Sequence, residues 1–365
     1  MSFLIKRNKM EKNKNIEQNE KEVLLCKYDE VRNFSWDFAA VEHDGKWGFV
    51  NEKGEEVIPC KYDEVDAFSE GFAMVKLDGK WGFVNENGEE VIPCRYDEVE
   101  DFDMGFADVQ LDGKWGQVNT NGEEVIPCKY DDVEFFSEGF AAVALNGKWG
   151  FVDENGKEII PYRYDEARYF SEGFAAVALD GKWGFVDADG EDIIPCRYDE
   201  VRNFSFGFAA VALDGKYGFV NRKGEEIIPC RYGEVSDFEE DFAAVQLDGK
   251  WGLVNTNGEK VIPCRYDDVW YFMEGCVEVQ LDGKWGRVDE NGEEIIPCRY
   301  DEMGPFKNKF AAVERDGKWG FVNMQGKEVI PCKYDDVEFF SEGFAKVQLY
   351  GKWGTVNENG EEFWD

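Results

Sequence analysis

The residues best placed to do chemistry are cysteines at one phase of a strict period. Cys26, Cys60, Cys94, Cys128, Cys196, Cys230, Cys264, Cys298 and Cys332 are separated by 34 residues or a multiple of it, and Cys276 alone stands apart. A zinc site draws its thiolates and imidazoles from pairs two to four residues apart. No two of these cysteines have that spacing, and His43 is the only histidine. Tyr162 occupies the one position where the column breaks, so the fold does not require the thiol. The column therefore reads as small, packed, reduced side chains.

Carboxylates are the second candidates. Asp63-Glu64, Asp97-Glu98, Asp131-Asp132 and their copies are sequence neighbours. On an extended chain neighbours point to opposite sides, which is poor geometry for paired acid–base work. No Ser-His-Asp set, phosphate loop or dinucleotide fingerprint can be assembled, so the expectation is a protein that is not an enzyme and carries no cofactor. The run Asp187-Ala-Asp-Gly-Glu-Asp192 resembles the start of a calcium loop, with Asp187, Asp189 and Asp192 as its candidate ligands. Against calcium, Asp-Gly and Asn-Gly loops are what hairpins need in any case.

The elements that carry these residues form one repeated unit. Trp-Gly recurs every 34 residues, at Trp47, Trp81, Trp115, Trp149, Trp183, Trp251, Trp285, Trp319 and Trp353, with Tyr217-Gly218 in the one gap. Within a unit, Phe72–Leu77 reads as a strand. Asp78-Gly79 is a two-residue hairpin turn with both residues at φ > 0. Lys80–Val84 returns, Asn85-Glu-Asn-Gly88 is a longer hairpin loop, and Glu89–Ile92 is a third strand that Pro93 stops or marks as an edge. The remainder is a connector with an aromatic anchor, Phe102. Both strand faces are apolar, so each unit must stack on its neighbours. The Trp column is the expected stacking residue, its Gly allowing close approach of backbone.

Gly-Lys-Trp-Gly-Phe-Val-Asn-Glu-Asn-Gly-Glu-Glu-Val-Ile-Pro, followed by Tyr-Asp-Glu-Val and Phe-Ser-Glu-Gly-Phe-Ala, resembles the WG (KWG) repeats of bacterial proteins. The resemblance runs from about Val23 to Glu362 and implies an interaction module without a shared activity. Tyr162, Tyr217, Gly233 and Gly304-Pro305 depart from the pattern.

The expected architecture is all-β: ten three-stranded antiparallel meanders over residues 22–365, preceded by a Lys-rich, disordered leader at 1–21. An open, curved, solenoid-like superhelix is the expected closure and a closed β-propeller the alternative. With 78 acidic against 41 basic residues, net charge −37, the surface repels nucleic acid and anionic membranes and attracts basic proteins or cations. The absence of a signal-peptide core or an apolar run of membrane length places the expectation in the cytosol. The expected function is a protein–protein scaffold with a basic partner, and the alternative a calcium- or cation-responsive array. Specificity belongs where the copies differ, at Phe206, Tyr217, Trp270, Tyr271, Met273 and Phe306, because identical units bind identically.

Overall fold

The computed structural model describes residues 27–273 and 275–364, with the side chains of 271–274 outside the description; the leader at 1–21, the segment 22–26 and Asp365 also lie outside it. Every element in the described residues is a β-strand. The strands form ten separate four-stranded antiparallel sheets, each in simple chain order and none closing on itself. The chain divides into two compact units, 1–181 with 185–192, and 182–184 with 193–365.

The second sheet shows the design. Glu64–Val65, Phe72–Leu77, Lys80–Asn85 and Glu90–Tyr96 lie side by side. The first of these comes from the connector and adds a short fourth strand to the expected three, pairing Val65 with Val75 and Glu64 with Lys76. At the hairpin tip Asp78 has φ 51° and Gly79 φ 77°, the left-handed pair such a turn needs. The last strand continues through Pro93 to Tyr96. It is the edge strand, so the missing N–H leaves no ladder bond unmade. The pairing with Lys80–Asn85 slips on either side of Phe83↔Ile92, and there the strands cross closely. A Cβ on Gly82 would stand 2.4 Å from the Ile92 carbonyl oxygen and 2.7 Å from Cys94 N. Glycine in the Trp-Gly pair is thus required within its own sheet.

Burial occurs between consecutive sheets. Ala40, Phe49 and Ile58 of the first sheet meet Ala73, Val75 and Val84 of the second, with Tyr62 and Phe68 sealing the joint. The third sheet meets the fourth in the same way, as does the sixth the seventh. A Tyr column and a recurring Phe trio supply its largest side chains. Tyr62, Tyr96, Tyr130 and their copies to Tyr334 are almost wholly buried. Phe68 packs against Phe38 and Phe49 at 4.5 and 5.0 Å between ring centres, and the trio recurs at Phe72, Phe83 and Phe102 and at Phe208, Phe219 and Phe238. The Trp side chains expected to carry the stacking sit mostly at the margin of these joints, from 9% exposed at Trp47 to 43% at Trp353. Trp81 lies cross-strand from the buried Tyr96, and Trp47, Trp115, Trp149, Trp251, Trp285 and Trp319 stand opposite a Tyr in the same way.

Polar clamps bind sheet to sheet outside the core. Lys80 Nζ donates to Asp97 Oδ1, whose Oδ2 accepts the Asp112 N–H in the hairpin of its own sheet, 2.7 Å away. The Lys–Asp pair recurs at Lys46–Asp63, Lys114–Asp131, Lys148–Asp165, Lys182–Asp199, Lys250–Asp267, Lys284–Asp301 and Lys318–Asp335. It is missing where Gly233 replaces the aspartate. The lysine hydrogen bond holds these carboxyls below the usual aspartate range. A depressed pKa contributes stability that is present above the unfolded value and is lost as pH falls through the folded one. Thermal unfolding measured from pH 7 downwards should therefore show a steep loss below about pH 4. Replacing Asp97 and Asp131 by asparagine should flatten that acid limb.

Candidate functional site

Eight sheets into the chain, the Phe trio fails. The positions equivalent to Phe38, Phe49 and Phe68 are Cys276, Arg287 and Phe306. Two rings are lost from the joint between the eighth sheet (268–300) and the ninth (302–334), and a cavity of about 530 Å³ takes their place. Its wall includes Trp270, Cys276, Glu278, Arg287, Met303, Phe306 and Met324. The size falls within the range of small-ligand or anchor-residue pockets.

The departures at this joint go beyond the two lost rings. Glu278 stands where most sheets have Ala, Met303 where most have Val, and Met324 in a column that is most often Glu. Trp270 stands in a column that is elsewhere mostly charged and supplies an aromatic wall. Asn308 and Lys309, also on the wall, hold φ of 50° and 72°. Most sheets have Gly where Lys309 stands, so this backbone is strained at the cavity mouth. The Asn308 side-chain amide donates to Phe340 O at 2.8 Å and fixes the loop.

Glu278 and Arg287 face each other across the strand pair Cys276–Leu281 and Lys284–Asp289. Arg287 is only 3% exposed and lies 4.2 Å from the centre of the Phe306 ring. Burial pushes the Glu278 carboxyl up to about 7, against the pull of Arg287. The cavity therefore sets a half-buried carboxyl cross-strand from a buried guanidinium, within a lining that is mostly apolar.

Of the variable positions singled out in the sequence, Trp270 and Phe306 come together here. Tyr271 and Met273 lie on the Trp270 strand, Asp268–Met273, with side chains outside the described residues. Phe206 is a 57%-exposed turn residue of the sixth sheet. Tyr217 is in that sheet too, its hydroxyl donating to Glu200 at 2.7 Å; neither belongs to the cavity. Glu278, Arg287 and Met324 are less conspicuous in the sequence than the aromatics beside them. The available signal was a charged residue in a Phe or Ala column.

Among the described residues, the carboxylates of Asp187, Asp189 and Asp192 are not grouped as a metal site would group them. Asp187 Oδ1 accepts the N–H groups of Asp189 and Glu191, as Asn85 does in its own loop. Asp192 is held by Arg163 and by the Tyr164 hydroxyl at 2.9 and 2.8 Å. The one metal-compatible grouping among the described residues is the fully exposed set Asp29, His43 and Asp44. In the cysteine column Cys94 Sγ donates weakly to Val75 O, 3.5 Å away, and burial pushes its thiol up to about 11; Cys128, Cys298 and Cys332 are raised alike.

The family described as WG containing repeat matches ten consecutive segments of the chain, from 16–47 and 47–81 through to 319–353. A comparison with curated proteins finds no match. Similar solved structures include a eukaryotic initiation factor at 12% identity, covering 80% of this chain and 95% of that one with a TM-score of 0.36. Hsv2p of Kluyveromyces lactis is also 12% identical, covering 74% and 96% with a TM-score of 0.32. Scores this low carry no argument.

Proposed function

Because the chain belongs to the WG-containing repeat family, we propose that it is a non-enzymatic scaffold that binds a protein partner through the cavity between its eighth and ninth sheets. The observation that carries this reading is the convergence of departures. Single departures occur in other sheets, but here five of them, Cys276, Glu278, Arg287, Met303 and Met324, surround one space. The partner inserts an apolar side chain there, and basic residues around it meet the acidic surface, net charge −37. We assign the cavity no reaction and no cofactor. A reducing, cytosolic setting suits the protonated thiol column.

The test is photo-crosslinking in source-cell lysate from p-benzoylphenylalanine placed at Met324, and separately at Glu154, the equivalent loop position of the fourth sheet. A defined adduct should form from position 324, weaken as salt rises, and be absent from position 154. Equal adducts from both positions would show that the cavity has no special part in binding.

A further inference from the structure

A second cavity, of about 360 Å³, lies between the third sheet (98–130) and the fourth (132–164). It too marks a break in the Phe trio. Phe106 and Phe136 still stack at 4.6 Å, but Gln117 replaces the middle ring and Asp108 replaces the usual Ala beside it. The lining is acidic and aromatic, with Glu100, Asp108, Asp132 and Glu134 beside Trp115 and Phe136, and includes no lysine or arginine. Gln117 is 2% exposed. Its Nε2 donates to Asp108 Oδ1 at 2.5 Å and to Glu134 O at 3.4 Å, while its Oε1 has no hydrogen-bond donor.

Other sheets show what this place accepts. In the first sheet Arg32 lays its guanidinium 4.0 Å from the centre of Trp47 and donates to Val65 O of the next sheet at 2.8 Å. In the sixth, Arg202 lies over Tyr217 at 5.6 Å and donates to Val235 O at 3.0 Å. The equivalent ring and carbonyl-bearing residue in the third and fourth sheets are Trp115 and Val133, and both line the cavity. The residue equivalent to Arg32 and Arg202 is Glu100. The platform is kept, and where the first and sixth sheets supply their own guanidinium this one has a carboxylate.

We propose that this cavity binds a guanidinium group from outside the chain, stacked on Trp115, donating to Val133 O and Gln117 Oε1, and neutralised by Glu100 and Asp108. The guanidinium is the fitting cation because its flat face suits the indole and its several N–H groups suit a set of converging oxygens. The carboxylates there are crowded: burial pushes Asp108 up to about 6, Gln117 opposes, and Glu100, Glu134 and Asp132 add to the rise.

An arginine side chain of a partner and a free guanidine compound offer the same group. Calorimetric titration of the full chain with agmatine, with acetyl-Gly-Arg-Gly-amide and with its citrulline counterpart separates them. Saturable binding of the first two, and none of the citrulline peptide, is expected. A tighter peptide identifies an arginine side chain as the occupant, a tighter agmatine the free compound. Glu100→Arg supplies the guanidinium from within, as Arg32 does, and should weaken both ligands by about tenfold or more. Should that variant fold poorly, Asp108→Ala with Gln117→Phe restores the residues most sheets carry and should have the same effect. No saturable binding, equal binding of the citrulline peptide, or undiminished binding by a folded variant would overturn the proposal. The residues of the eighth and ninth sheets are untouched in these experiments, so failure here leaves the reading of that cavity standing.

Discussion

Replacing Gly82 by alanine should destabilise the second sheet by about 3 kcal/mol, the upper end of the overpacking range. The added methyl would meet three backbone atoms, Ile92 O, Cys94 N and Pro93 C, all closer than 2.8 Å. Backbone cannot swing aside as a side chain can, so the edge strand Glu90–Tyr96 must shift and take buried Tyr96 with it. Gly79→Ala is the matched control. Gly79 has a positive φ of 77° and nothing within 4 Å of an added Cβ, so its cost is the left-handed strain alone, about 1 kcal/mol. Denaturant unfolding, with amide hydrogen exchange of 72–96, should rank the two variants in that order. Equal effects would mean that the close crossing is not what the Trp-Gly glycine serves.

The second large effect concerns the charge pair. Arg287→Ala should cost about 3–5 kcal/mol, because it strands Glu278 in a desolvated site and enlarges the cavity. Changing both members to the residues that most sheets carry, Glu278→Ala with Arg287→Phe, should instead be neutral or stabilise by up to about 4 kcal/mol. The Phe would rebuild a ring contact with Phe306 like that of Phe321 with Phe340, 4.8 Å. Chemical denaturation decides it: two losses of similar size would show that the pair is not a departure from a better-packed joint.

Much of the frame was legible because short-range chemistry specifies it. Asp78-Gly79 announced its hairpin, and the alternation of Phe72–Leu77 announced stacking on both faces. What was not legible depended on partners distant in sequence. The two-residue strand Glu98–Val99 carries no pattern of its own and exists because it pairs with Val109 and Gln110. Pro93 looked like a stop or an edge, and only the sheet order shows that its strand continues to Tyr96 along the edge. Trp stood out by its size, whereas the largest fully buried side chains are the Tyr column. The candidate site was half legible. Trp270 and Phe306 stood out as aromatics, but Arg287 needed alignment of the copies against one another, where it replaces the Phe at the centre of every intact trio. Calcium was suggested by a local string whose first oxygen turned out to cap its own turn.

The central claim is that the sheets make the frame and the departures make the site. Affinity capture from source-cell lysate tests it most directly, comparing the native chain with the Glu278→Ala, Arg287→Phe variant after both are shown to be folded. The account predicts a recurrent partner on the native chain that the refilled variant loses while matching or exceeding its stability. Retention of the same partner at the same level by both chains would contradict it.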